Sequence, residues 1–526
     1  MNVHIKSSVV PLRTKGIVFT PQNTLLHNEE IEAYATTDSF SEFTKRIASL
    51  NGQFLVLCHS SDAFLAAVDY RSTIPLFYRV ENNHLTIGNN GFDLILPGED
   101  FIDFSSDNTL FFSQWGFTPA DHTLHPSIKR LEAGCTLCYR GGNTVEICHY
   151  NSGLPINQEY AALSYQEAKE SFRKALNTAF DRMAKVVEGH TVVLPLTAGR
   201  DSRLIAVALK KRGIGNVSTF TYGKNDQIGE VIKAKKVAQN LNFPHYFIDT
   251  VPNGYTEEGY TKDREVLAYL RYISGLSSGY YFAEYKIARE TASGLFGKQP
   301  IVLPGHNGDI LGGDKVHLHW HKGKNNAKYN ARQLTLLDLG NRKLSKKEVA
   351  RLTDLHKRLF ATYPQELSAR QQIELFRNRE FQSKYIINSS RSWDYFGVPV
   401  WMPFLDKDLI ILMHSINFQY RFGKKIYEEV SNEIYREAGV CFDDDFSLYQ
   451  TVNKPYFKLR SLVYPFLAYQ LSQKKRYFGQ DDLGFEKIMG GTIEQEVKKN
   501  IPWQPTTTNG LSFAWLLWHI KNTNWK

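Results

Sequence analysis

Thr191-Val192-Val193-Leu194-Pro195-Leu196 runs directly into Thr197-Ala198-Gly199-Arg200-Asp201-Ser202. The first six residues form a short apolar run of strand type, and the small, hydroxyl-bearing loop that follows opens a helix over Leu204 to Arg212, which Gly213 stops. Val217 to Tyr222 is a second strand. Asp226 then caps a helix with Val231, Ala234, Ala238 and Leu241 on one face, and His245 to Ile248 is a third strand. Strands alternating with helices of this length predict a parallel sheet with helices on both faces. In such sheets ligands sit beyond the carboxyl ends of the strands, where the loop 196–202 falls.

Working outward, Ser164-Tyr165-Gln166-Glu167 reads as a capping box that starts a helix running to about Val187. Asn151-Ser152-Gly153-Leu154-Pro155 marks a change of texture, dividing residues 1–153 from residues 160–526. The first part is β-rich, with runs such as Gln53-Phe54-Leu55-Val56-Leu57 and Phe64-Leu65-Ala66-Ala67-Val68 separated by turn-formers. From about residue 255 the chain reads as mostly helical. It closes on a helix with Phe513, Leu516, Leu517 and Ile520 on one face.

A chain of 526 residues exceeds what one core fills and implies more than one domain. Hydrophobic residues at 42% and charged residues at 22% exclude a disordered chain, and no run approaches the ~20 apolar residues of a membrane span. Five cysteines argue against a disulfide framework, and Met1-Asn2-Val3-His4-Ile5-Lys6 does not begin a leader, so a cytoplasmic protein is expected. The net charge of +9 comes with no groove-reading motif, so nucleic acid is not an expected partner. The densest basic cluster, Lys315 to Lys328, is mixed with His317, His319 and His321, which read as a polar loop or a weak metal candidate. Cys135-Thr136-Leu137-Cys138 lies in a strand and lacks a partner pair for metal binding, and Asp443-Asp444-Asp445 reads as a solvated turn.

The loop Leu196-Thr197-Ala198-Gly199-Arg200-Asp201-Ser202 offers backbone N–H groups and a positive helix end to an anion, and Asp201 suits a ligand that brings Mg²⁺ to phosphates. An N-cap of the Asp-Ser type is the plain alternative. The loop resembles the pyrophosphate loop of ATP-pyrophosphatases, Ser-Gly-Gly-x-Asp-Ser, with Thr197 and Ala198 as departures. Ala198 adds a Cβ where glycine gives freedom.

Pro304-Gly305-His306-Asn307-Gly308-Asp309-Ile310-Leu311-Gly312-Gly313, after the apolar strand Pro300-Ile301-Val302-Leu303, is similar to the Ser-Gly-Glu-Gly-x-Asp-Glu-Leu-Phe-Gly-Gly stretch of asparagine synthetases. The resemblance makes Asp309 the second metal-binding aspartate and Gly305 part of the nucleotide site. Val398 to Asp406 is similar to the family's Arg-Val-Pro-Phe-Leu-Asp signature. In Asn453-Lys454-Pro455-Tyr456-Phe457, Lys454 is placed like the family's catalytic lysine, with Lys425 as a weaker substitute. Tyr222 and Gly223, at the end of the second strand, are expected to line the adenine pocket. Asn51-Gly52-Gln53-Phe54 and Asp69 to Tyr78 resemble the class II glutamine amidotransferase domain. That domain's nucleophile is a terminal cysteine, whereas Asn2 follows Met1 here and the first cysteine is Cys58.

The resemblance implies a β-rich amidotransferase-like sandwich, inactive as a glutaminase, before a parallel-sheet (HUP-like) ATP-pyrophosphatase domain with a helical extension. It implies an ATP- and Mg²⁺-dependent ligase that adenylates a small-molecule or peptide carboxylate and transfers it to an amine or ammonia. Relatives without the thiol include β-lactam synthetases and lasso-peptide cyclases. A non-catalytic ATP-binding protein of the same fold stays open as a second reading. At His306 the family carries glutamate in asparagine synthetases and tyrosine in β-lactam synthetases. An imidazole of ordinary pKa there is expected to act as general base for amide formation, or else to hydrogen-bond the loop.

Overall fold

A computed structural model describes residues 2–150, 156–250, 262–279, 283–313, 327–337, 340–442, 447–455 and 489–523, with isolated positions between 467 and 474. The expected boundary at 151–155, the histidines His317, His319 and His321, most of the basic cluster, and Asp443-Asp444-Asp445 lie outside the described residues.

The N-terminal region contains ten strands: β1 (Asn2–Ile5), β2 (Lys15–Phe19), β3 (Leu25–His27), β4 (Asn51–His59), β5 (Phe64–Val68), β6 (Phe77–Glu81), β7 (His84–Gly88), β8 (Lys129–Arg130), β9 (Cys135–Tyr139) and β10 (Glu146–His149). They form two sheets, ordered β1-β7-β6-β8 and β10-β9-β5-β4-β2-β3. The period of two along β4 assigns its faces. Leu55 and Leu57 pack with Tyr78, Leu85 and Ile87 of the other sheet, while Phe54, Val56 and Cys58 pack beneath the helices Glu29–Ala35 and Phe40–Ser49. The expected β-rich sandwich is present, with a helical layer on one side.

The second region is built on β11 (Thr191–Pro195), β12 (Val217–Gly223), β13 (His245–Asp249) and β14 (Pro300–Val302), all parallel in the order β13-β12-β11-β14. Beyond β14, the Val302 N–H donates to the Pro399 carbonyl at 2.9 Å and the Trp401 N–H to the Val302 carbonyl at 2.9 Å, adding the Val398–Trp401 segment to the sheet edge. Helices cover both faces. Val192 and Leu194 pack with residues of Tyr165–Val186, Arg200–Lys211 and Gly229–Leu241, and Val193 packs with Ile287, Ala288 and Trp393 on the other face.

The Ser164–Glu167 capping box forms as predicted. Three local expectations are corrected. The helix after the loop begins at Arg200 instead of Leu204. Asp226 caps nothing: its carboxylate accepts from its neighbour Gln227 Nε2 at 2.9 Å, and the helix starts at Gly229 without a side-chain cap. The closing helix, Thr508–Asn522, is buried nearly all round, since Leu511, Ala514 and Trp515 join the predicted face in a core shared with the N-terminal region. Among the described residues no helix is long and apolar enough to cross a membrane.

The two regions meet through buried polar contacts. Asn51 Nδ2 donates to Asp406 Oδ2 at 3.1 Å, Arg182 Nη1 donates to the same oxygen at 2.7 Å, and the Lys407 N–H donates to Asn51 Oδ1 at 2.9 Å. Asp406 also caps the helix Lys407–Ser415. The aspartate of the Pro403-Phe404-Leu405-Asp406 signature thus joins the two regions.

Candidate functional site

Strands β11 and β14 are neighbours, so the loops leaving their carboxyl ends lie side by side. The first loop is closed by its own side chains. Thr197 Oγ1 accepts from the Gly199 N–H at 3.0 Å, the Thr197 N–H donates to Ser202 Oγ at 3.1 Å, and Arg203 donates to the Ala198 carbonyl at 2.6 Å. Gly199 is the N-cap residue of the following helix and has no side chain to offer it, so the cap position is open to an external anion. The plain alternative, an Asp-Ser cap, is not what forms.

The second loop is shaped around Asp201. A Cβ placed on Gly308 would fall 2.3 Å from Asp201 Cγ, and one on Gly305 would fall 2.9 Å from Asp201 Cβ, so both positions need glycine for the two loops to touch. Asn307 takes a left-handed conformation (φ 77°), and its Nδ2 donates to the Phe404 carbonyl at 2.8 Å, tying this loop to the third motif. Asp309 stands in the first turn of the short helix Gly308–Leu311, with its backbone N–H donating to the Asp201 carboxylate.

Asp201 Oδ1 accepts from the Tyr427 hydroxyl at 2.5 Å, and Asp309 Oδ1 is ion-paired with Lys424 Nζ. Burial, reinforced by the nearby Asp309 charge, pushes the Asp201 carboxyl up to about 7. The Asp309 side chain is 61% exposed. A carboxylate held against another in a shared cleft is under repulsion, which a divalent cation and its phosphate ligands relieve. Two carboxylates at one cleft mouth fit Mg²⁺, which takes one or two carboxylates and completes its shell with water and phosphate oxygens. Among the described residues no group of three acidic, histidine or cysteine side chains forms a self-sufficient metal site.

The cleft between these loops has a volume of about 530 Å³. Of the sequence-expected site residues, Thr197, Gly199, Asp201, Ser202, Tyr222, Gly305, His306 and Asp309 line it. Leu196 is buried, its N–H donating to the Phe220 carbonyl at 2.8 Å, and Ala198, half-buried, is not among the residues that line the cleft. Gly223 pairs with Asp249 in the sheet, and its carbonyl accepts from the Thr250 N–H at 3.1 Å. Lys454 ends the helix Leu448–Asn453 in an extended conformation, exposed and apart from the cleft lining. Lys425 lies over the Tyr165 ring, 4.0 Å from its centroid. The lysine at the carboxylates is Lys424, held in a left-handed conformation (φ 64°) just before the helix Lys425–Glu437.

His306 is half-buried, with Nε2 3.5 Å from Ser389 Oγ and Nδ1 shielded from solvent without a partner among the described residues. Burial lowers its pKa to about 4, correcting the expectation of an ordinary imidazole. Sequence reasoning missed the opposite wall. Glu284, Gln382, Ser389 and Trp393 line the cleft, carried by segments with no recognisable motif. Glu284 Oε1 accepts from the Tyr222 hydroxyl at 3.3 Å, and burial pushes that carboxyl up to about 7.

A family model described as asparagine synthase matches residues 171–438, just over half of the chain. The chain belongs to the asparagine synthase family. The matched span of this asparagine synthase family member contains both cleft aspartates, Asp406, Lys424 and Lys425, and ends before Lys454. Membership supports an ATP-dependent amide-forming ligase. A search of curated proteins returns no match.

Proposed function

We propose that this chain is an ATP-dependent carbon–nitrogen ligase that activates a substrate carboxylate as its adenylate and passes the acyl group to an amine or ammonia, without glutaminase activity. The observation that carries the reading is the contact of Asp201 with the Gly305–Asp309 loop at the ends of two adjacent parallel strands, inside one cleft. The carboxylate oxygen attacks the α-phosphorus of ATP and pyrophosphate leaves; the amine nitrogen then attacks the acyl carbon and AMP leaves. Asp201 and Asp309 would hold Mg²⁺, which when bound neutralises charge on the phosphates. The open N-terminus of helix Arg200–Lys211 and the Thr197 loop receive the phosphate oxygens, and Lys424 adds a positive charge beside them. Tyr222 lines the base end of the cleft. His306, kept neutral by burial with a pKa of about 4, is a poor base for the proton that the amine sheds and takes the alternative role of a hydrogen-bonding group in the loop, with Nε2 facing Ser389 Oγ.

Glutamine hydrolysis lacks a nucleophile. All five cysteines are free, but Cys58, Cys135 and Cys138 are buried in the sandwich, Cys148 is half-buried in β10, the exposed Cys441 lies outside the sandwich, and burial pushes the Cys58 thiol up to about 11. Free thiols also suit a cytoplasmic setting. The second reading, a nucleotide-binding protein that no longer transfers the adenylyl group, draws on the engagement of both cleft carboxylates by Tyr427 and Lys424. ATP–pyrophosphate exchange, screened over a panel of carboxylic acids, tests the proposal. Acid-dependent exchange supports the ligase, nucleotide binding with no exchange for any acid supports the second reading, and glutamate release from glutamine would refute the inactive glutaminase.

A further inference from the structure

The cleft wall formed by the end of β12 is aromatic. Phe220 stacks beside Tyr222 with ring centroids 6.2 Å apart, and Trp393 lies 6.2 Å from Phe220 on the same side. A planar base meets complementary surface there. One polar group interrupts this wall. The Tyr222 hydroxyl fixes the Glu284 carboxyl through Oε1, while Oε2 is shielded from solvent and finds no donor among the described residues. An unpaired buried acceptor is costly, and a ligand that brings an N–H to it recovers that cost.

Resting on the nucleotide reading above, we infer that Glu284 is the residue that selects adenine, its free oxygen accepting a hydrogen bond from the exocyclic 6-amino group of ATP. Adenine presents two N–H groups at that position. Guanine presents a carbonyl oxygen there, which would set acceptor against acceptor. A site built around such a hydrogen bond discriminates sharply against a ligand that lacks the donor, because the acceptor is then left unpaired.

The experiment removes the same hydrogen bond from each side. Calorimetric affinities of the full chain are measured for Mg²⁺–ATP and for Mg²⁺–purine riboside triphosphate, which differs only by loss of the 6-amino group. The wild type is expected to bind ATP about tenfold tighter. Glu284→Ala should lose that preference by weakening ATP alone, and Glu284→Gln, which keeps a carbonyl acceptor of the same shape, should retain it. Equal wild-type affinity for the two nucleotides overturns the assignment whether or not the variants fold. An undiminished preference in Glu284→Ala also overturns it. Failure of the wild type to bind either nucleotide overturns the nucleotide reading itself, and the inference with it.

Discussion

Asp201 and Asp309 are chemically alike and physically different. Asp201 is enclosed by the glycines of the second loop, whereas the Asp309 side chain stands largely in solvent and shares its charge with Lys424. Asn at position 201 removes a carboxylate that sits against another but leaves one oxygen for two donors, the Tyr427 hydroxyl and the Asp309 N–H. The two effects on stability oppose each other, so Asp201→Asn should melt within a few degrees of the wild type while pyrophosphate exchange falls by about a hundredfold or more. A stability loss with exchange intact would reverse the assignment. His306 sets a second expectation. Its folded pKa of about 4 lies below the ordinary 6.5, so the unfolded chain binds the extra proton first. Its contribution to stability is complete above pH 6.5 and is lost as pH falls through about 4. Between pH 7 and 4.5 the melting temperature should drop less in His306→Gln than in the wild type, and equal drops would show that burial is not holding the imidazole neutral.

Helix Lys425–Glu437 delivers two groups to the carboxylates: Tyr427 from its first turn and Lys424 from the residue before it. A positive φ at a lysine is uncommon and is held here by the site's surroundings. Lys424→Ala should depress pyrophosphate exchange about tenfold or more, while Lys454→Ala, at an exposed helix end, should leave it near wild type; the reverse order would support Lys454 as the catalytic lysine. The parallel sheet was legible because period, strand length and the glycine stop after Arg212 all agree along residues 191–249. The aspartates were legible because each sits in a small-residue loop just after an apolar strand. The Lys424–Asp309 ion pair was not, because two adjacent lysines differ in backbone conformation, and the one with the left-handed φ reaches Asp309. Glu284 and Gln382 were hidden for a related reason. They lie in helices whose sequences mark no strand end, and only tertiary packing brings them to the cleft.

At the scale of the molecule, Asp406 is the tie between the sandwich and the synthetase region, capping a helix while accepting from Asn51 and Arg182. Removing one member of a buried ion pair leaves the other uncompensated, so Asp406→Ala should lower unfolding stability by about 3–5 kcal/mol in urea titrations. Asn51→Ala should cost about 1–3 kcal/mol by leaving its partners unpaired. Changes within experimental error would mean that other contacts between the regions, such as Arg71 Nη2 donating to Asn378 Oδ1 at 2.8 Å, carry the junction. Isothermal titration of wild type and Asp309→Asn with ATP, with and without Mg²⁺, tests the proposed hold of Asp201 and Asp309 on Mg²⁺–ATP. The expected result is one Mg²⁺-dependent site in the wild type, weakened about tenfold or more in the variant; an absence of binding, or identical binding by both proteins whether or not Mg²⁺ is present, would refute that role.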